Sequence, residues 1–171
     1  DFFLADEDKV ENLPNDYVVF AIGGKHETKK LPTNKIISIC NKLNQTVILI
    51  GGKEDFEAAK KIVAVTSNTQ NACGKYSIGQ SAFIIKNAKH VITHDTGMMH
   101  IAAAFKKKIY SVWGNTIPDF GMTPYLADVK SKIIEVKNLS CRPCTKIGFD
   151  KCPKGHFDCM QKIDVNLFLS E

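Results

Sequence analysis

Five apolar, largely β-branched runs constrain the fold of this chain more than anything else in it. They are Tyr17-Val18-Val19-Phe20-Ala21-Ile22, Thr46-Val47-Ile48-Leu49-Ile50, His90-Val91-Ile92-Thr93, Ile109-Tyr110-Ser111-Val112-Trp113 and Lys132-Ile133-Ile134-Glu135-Val136. Continuous apolar runs suit strands buried on both faces, as happens when helices cover both sides of a parallel sheet. The intervening segments carry helical spacing. Ile36, Ile37, Cys40 and Leu43 recur behind Pro32-Thr33, and Phe56, Ala59, Ile62 and Val63 behind Glu54-Asp55. A third helix opens at Ser77 with Gln80 three residues on, the form of a capping box, and is expected to bury Ile78, Ala82, Ile85 and Ala88. A fourth spans Met98 to Phe105. Strand and helix alternate throughout, so the expected class is α/β: a Rossmann-like parallel sheet with helices on both faces.

A length of 171 residues and a hydrophobic fraction of 44% suit one domain with a substantial core. Residues 1–16 read as a linker or lead-in ending in Leu13-Pro14-Asn15-Asp16, with the folded domain over 17–171. Asp1 is not a natural start, so a preceding domain is expected outside this sequence. A net charge of +5 favours an anionic ligand, but the lysines are spread along the chain, which gives no support to nucleic acid as a partner. No apolar run approaches the ~20 residues of a membrane span, and the N-terminus lacks the basic start of a signal peptide. The expectation is a cytoplasmic protein without a transmembrane segment.

In a parallel sheet, ligands sit beyond the carboxyl ends of the strands, where loops enter helix N-termini with free N–H groups and a positive dipole end. Three such loops carry glycine directly after a strand: Gly23-Gly24 leading to Thr28-Lys29-Lys30-Leu31-Pro32, Gly51-Gly52-Lys53, and Asp95-Thr96-Gly97. The last is the most informative. It offers N–H groups of Gly97 and Met98, the Thr96 hydroxyl and, one turn on, the His100 imidazole, which together make a phosphate cradle. Asp95 would repel a phosphate, so it is expected to cap the helix and to orient a lysine or histidine. Lys29 and Lys30 bring positive charge to the same edge, although an exposed lysine pair is as readily a solvated one. A capped turn without a ligand is the plain alternative. Gly23-Gly24 does not continue as G-x-G-x-x-G, and Gly74-Lys75 lacks the upstream glycine of a P-loop.

Val91-Ile92-Thr93-His94-Asp95-Thr96-Gly97-Met98-Met99-His100-Ile101-Ala102-Ala103-Ala104, followed by Val112-Trp113-Gly114-Asn115-Thr116-Ile117-Pro118, resembles the signature of glycosyltransferase family 9, the lipopolysaccharide heptosyltransferases. The lysine-containing loop before Pro32 and Gly51-Gly52-Lys53-Glu54-Asp55 resemble two further parts of it. The resemblance implies the C-terminal half of a GT-B enzyme, which binds a nucleotide-sugar donor, ADP-heptose. Donor-binding roles fall by position on Thr28, Lys29, Asp95, Thr96, Gly97 and His100, beside the glycines Gly23, Gly24, Gly51 and Gly52. Leu31 and Asn115 depart from the family's usual aromatic residue and proline. The resemblance puts the catalytic base in an N-terminal domain, so this chain holds no catalytic residue and is expected to bind donor without transferring sugar. The acceptor, the lipopolysaccharide core, would be met through that domain at the cytoplasmic face of the inner membrane. Lys29, the helix start at Gly97 and His100 would do the work of a metal, so no cofactor is expected. The alternatives are a GT-B transferase or epimerase for another nucleotide sugar, and a non-catalytic nucleotide-binding module.

Six cysteines fall into two groups. Cys40 and Cys73 stand alone among apolar neighbours and read as small buried hydrophobes. Cys141, Cys144, Cys152 and Cys159, with His156, crowd the region 141–159. They have enough soft ligands for a tetrahedral zinc, and Cys141-Arg142-Pro143-Cys144 has the Cys-x-x-Cys form of a redox pair. The expectation is a structural thiol or disulfide cluster without metal.

Overall fold

A computed structural model describes residues 2–169. Six parallel strands, β1 (Tyr17–Ala21), β2 (Thr46–Ile50), β3 (Thr69–Asn71), β4 (Val91–His94), β5 (Ile109–Trp113) and β6 (Lys132–Glu135), lie in the order β3-β2-β1-β4-β5-β6. This is the Rossmann order, and it reverses beside β1, where Val19 pairs with Ile48 on one side and Val91 on the other. Loops leaving β1 and β4 therefore diverge around a crevice at the carboxyl edge.

The helices are α1 (Thr33–Lys42), α2 (Phe56–Val63), α3 (Ile78–Asn87), α4 (Gly97–Ala104) and the short α5 (Asp158–Gln161). Alternation along β1 sends Val18 and Phe20 into a core with Ile39, Ile62 and Phe168, while Tyr17, Val19 and Ala21 join Ile84, Met99 and Trp113 on the other face. Helices α1, α2 and α5 cover the first face, and α3 and α4 the second. Every residue of β1 and β5 is buried, as continuous apolar runs require.

The capping box forms: Ser77 Oγ accepts the Gln80 N–H and Gln80 Oε1 accepts the Ser77 N–H, each at 3.1 Å. Two expected core residues are corrected. Ile78 is 65% and Phe56 38% exposed. Each is the first residue of its helix, at the corner where the loop has not yet reached the sheet face. Strand β3 lies outside the five expected runs, because Thr69-Gln70-Asn71 is a polar edge with no fully buried residue. The lead-in 2–16 is folded down, with Val10 and Leu13 packed against the α3–α4 face. At the other end Cys159, Met160, Ile163 and Phe168 close the opposite face. Cys40 and Cys73 are buried, and burial pushes both thiols up to about 12.

Candidate functional site

All three glycine loops meet at the carboxyl edge and border a cleft of roughly 640 Å³. They are built differently. A Cβ on Gly23 would fall 2.5 Å from Asp55 Oδ2, and one on Gly51 2.8 Å from the same oxygen. The space their missing side chains leave is thus filled by a buried carboxylate of the protein itself. Asp55 also accepts the Gly52 N–H at 2.9 Å and pairs with Lys30 Nζ at 3.1 Å. By contrast, a Cβ on Gly97 would meet nothing within 4 Å. Here the N-terminus of α4 faces open space.

Thr96 is the N-cap of α4 but makes no side-chain cap bond, and its buried Oγ1 has no partner among the described residues. Gly24, the exposed Lys25, and the partly exposed Tyr76 and Ile78 line the same cleft as Thr96.

Asp95 does not cap α4. Its Oδ2 accepts from Lys29 Nζ at 2.6 Å and from Thr116 Oγ1 at 2.9 Å, while its carbonyl accepts from the same ammonium at 3.2 Å. Lys29 is therefore held against β4's end, not solvated. Lys30 is held likewise by Asp55 and, at 2.6 Å, by Glu27. Burial works against its charge, but hydrogen bonds to Glu27 and Asp55 outweigh that and hold its pKa above the ordinary lysine value.

Four expected donor residues do not line this cleft: Lys29 and Asp95, which pair with each other, and Thr28 and His100. Thr28 is buried with its hydroxyl spent on the backbone of Phe149: it donates to the carbonyl at 2.9 Å and accepts the N–H at 2.7 Å. That makes it a fastener between the first loop and the C-terminal lobe. His100 is exposed one turn along α4 and does not line the cleft. His94, fully buried, accepts the Leu31 N–H at 2.9 Å, and burial lowers its pKa to about 4, so it is neutral at pH 7.

Sequence reasoning missed three participants. Thr116 completes the Asp95 site. Asn115 is buried with neither amide atom partnered among the described residues. Arg142 donates to the carbonyls of Gly114, Val136 and Thr116 and pairs with Glu135 at 2.8 Å, fastening the loop after β5. Arg142 is the only arginine in a chain with 22 lysines, which is a signal: the fork of donors it uses here is one that a lysine lacks.

In the cysteine-rich lobe no disulfide is formed among the described cysteines, and no three His, Cys, Asp or Glu side chains stand in position to share a metal. Among the described residues no helix is long and apolar enough to cross a membrane.

A parallel sheet in this order, with a cleft at its switch point, defines a Rossmann-like α/β domain. The family model for glycosyltransferase family 9 (heptosyltransferase) matches residues 1–152, and the chain belongs to that family. It is 33% identical over 95 residues to lipopolysaccharide heptosyltransferase 2 of Escherichia coli K12, a stretch covering 53% of this chain and 26% of that protein. The solved E. coli ADP-heptose lps heptosyltransferase II superposes with a TM-score of 0.67 at 24% identity, over 91% of this chain and 47% of that one. The E. coli heptosyltransferase WaaC with ADP gives 0.63 at 24% identity, over 71% and 39%. The chain thus spans about half the length of the first of these solved relatives.

Proposed function

We propose that this chain is the donor-binding half of a heptosyltransferase, holding the diphosphate of an ADP-sugar at the start of α4. The observation that carries the reading is the β4–α4 turn: Thr96 and Gly97 line one cleft, and open space lies over Gly97 at the positive end of a helix. The relatives support it, since one solved neighbour is described with ADP and another as an ADP-heptose transferase. Lys29, neutralised by Asp95, braces the end of β4, while Lys25 and the α4 N–H groups offer the charge that meets the diphosphate. Tyr76 and Ile78 offer an apolar seat for the nucleoside.

In the transfer, the acceptor hydroxyl loses its proton to a base, the sugar carbon exchanges its bond to the diphosphate for one to the acceptor, and the nucleoside diphosphate leaves. This chain stabilises the departing charge with its own groups and no cofactor. The base and the lipopolysaccharide core acceptor belong to the N-terminal half of the whole enzyme, at the cytoplasmic face of the inner membrane. Calorimetry with ADP, UDP, GDP and CMP sugars tests the assignment. Preference for the ADP sugar is expected, and no response to any of the four would refute donor binding.

A further inference from the structure

The carboxyl edge of the sheet carries the donor cleft, and the opposite edge carries a further cavity of roughly 350 Å³. Parallel topology gathers its charged residues at the amino ends of the strands: Lys42 closes α1, Lys89 and His90 stand immediately before β4, and Lys108 stands immediately before β5. Val91 pairs with Ile109, so His90 and Lys108 enter the sheet side by side. The extended chain of β4 puts roughly 16 Å between His90 and Asp95, which keeps the two edges apart. Among the described residues no carboxylate lines this cavity, and neither Lys42 nor Lys89 joins a salt bridge. Lys108 Nζ stands over the buried Tyr110 ring, 5.1 Å from its centroid, and Tyr110 and Phe168 back the cavity as a tilted pair at 6.0 Å. His90 registers the excess of positive charge. It is 8% exposed, and its Nε2 has no partner among the described residues. Burial lowers its pKa to about 4, with Lys108 and Lys89 pushing the same way against a smaller pull from Asp16, so the ring is neutral at pH 7.

We propose that this cavity is a second anion site, which takes the phosphate group of a phosphate ester between Lys42, Lys89 and Lys108. Phosphate oxygens are strong acceptors, and ammonium groups meet them as point charges that need no fixed fork. The volume falls in the range of small-molecule pockets and leaves room for an organic part beside Leu43 and Leu169. A soluble ester and a lipid headgroup both present this phosphate, and the groups that recognise it are the same. Lysines at or just past helix ends also offset the negative end of the helix dipole. That task requires neither a cavity nor a lining free of carboxylates, and it gives a different response to mutation. The site stands apart from the donor reading, because none of its residues borders the donor cleft.

The test titrates the full chain with inorganic phosphate, against potassium chloride at matched ionic strength, and follows amide and histidine-ring NMR signals. Expected are saturable changes at the Leu43, Asn44, Gln45 and Lys89 amides and at the His90 ring that chloride does not reproduce. The double variant Lys42→Ala, Lys89→Ala replaces two exposed side chains, so it should keep its urea midpoint while phosphate affinity falls about tenfold. A second arm sediments the chain with vesicles of phosphatidylcholine containing phosphatidylglycerol, and with phosphatidylcholine alone. Binding to the anionic vesicles that the double variant loses assigns the phosphate to a lipid headgroup; a phosphate response without vesicle binding assigns it to a soluble ester. The proposal is overturned if neither arm responds, if chloride reproduces the changes, or if the double variant lowers the midpoint and leaves the phosphate response intact, as a dipole role alone requires. Changes confined to Thr96 and Gly97 would overturn this site and leave the donor reading standing.

Discussion

Two glycine loops at the same sheet edge are used in opposite ways. The loop after β2 spends the room at Gly51, and at Gly23 beside it, on the buried carboxylate of Asp55. The loop after β4 leaves the room at Gly97 empty and the Thr96 hydroxyl unpaired. The first pair of glycines serves the protein's own packing; the space at the other is left open. A glycine after a strand is thus not by itself a sign of a ligand. What separates the cases is whether a protein group already fills the space.

Substitutions break or sharpen that contrast. The largest effect is expected for Asp95→Ala, which leaves the mostly buried Lys29 ammonium without its counter-charge, on the residue-95 carbonyl alone, and the Thr116 hydroxyl without its acceptor. A loss of about 3 kcal/mol in urea unfolding is expected, as for removal of one partner of a buried ion pair. Gly51→Ala comes next. It drives a methyl against Asp55, and about 1–2 kcal/mol of destabilisation should follow in the same measurement, with the Lys30 pairing disturbed. Thr96→Val should change stability by less than about 0.5 kcal/mol, because the lost hydroxyl has no partner in the protein. Its effect should appear in calorimetry instead, as an ADP affinity about tenfold weaker. If Thr96→Val destabilised the fold as much as Gly51→Ala, the contrast between the loops would fail.

The strands were legible because burial on both faces leaves an unbroken apolar run, as β1 and β5 show residue by residue. Strand β3 was not, since three polar edge residues carry no such run and owe their conformation to pairing with Val47, Ile48 and Leu49. The position of the ligand edge was legible from glycines and topology. The identity of its working groups was less so. Asp95, the partner of Lys29, lies 66 residues away, and Asp55, which holds Lys30 together with the local Glu27, lies 25 away, beyond any local pattern. Thr28 is diverted by Phe149, 121 residues on, in a lobe whose return over α1 the sequence did not announce. Ile78 misled for a simpler reason: helical spacing says which residues share a face, not where the helix first meets the sheet.

The account's central claim is that the α4 N-terminus receives a diphosphate, and amide NMR of the chain titrated with ADP tests it most directly. The largest shift changes are predicted at Thr96, Gly97 and Met98. Changes centred instead on Leu31, Ala58 and Gln161, which line the neighbouring cleft of roughly 660 Å³, would contradict it.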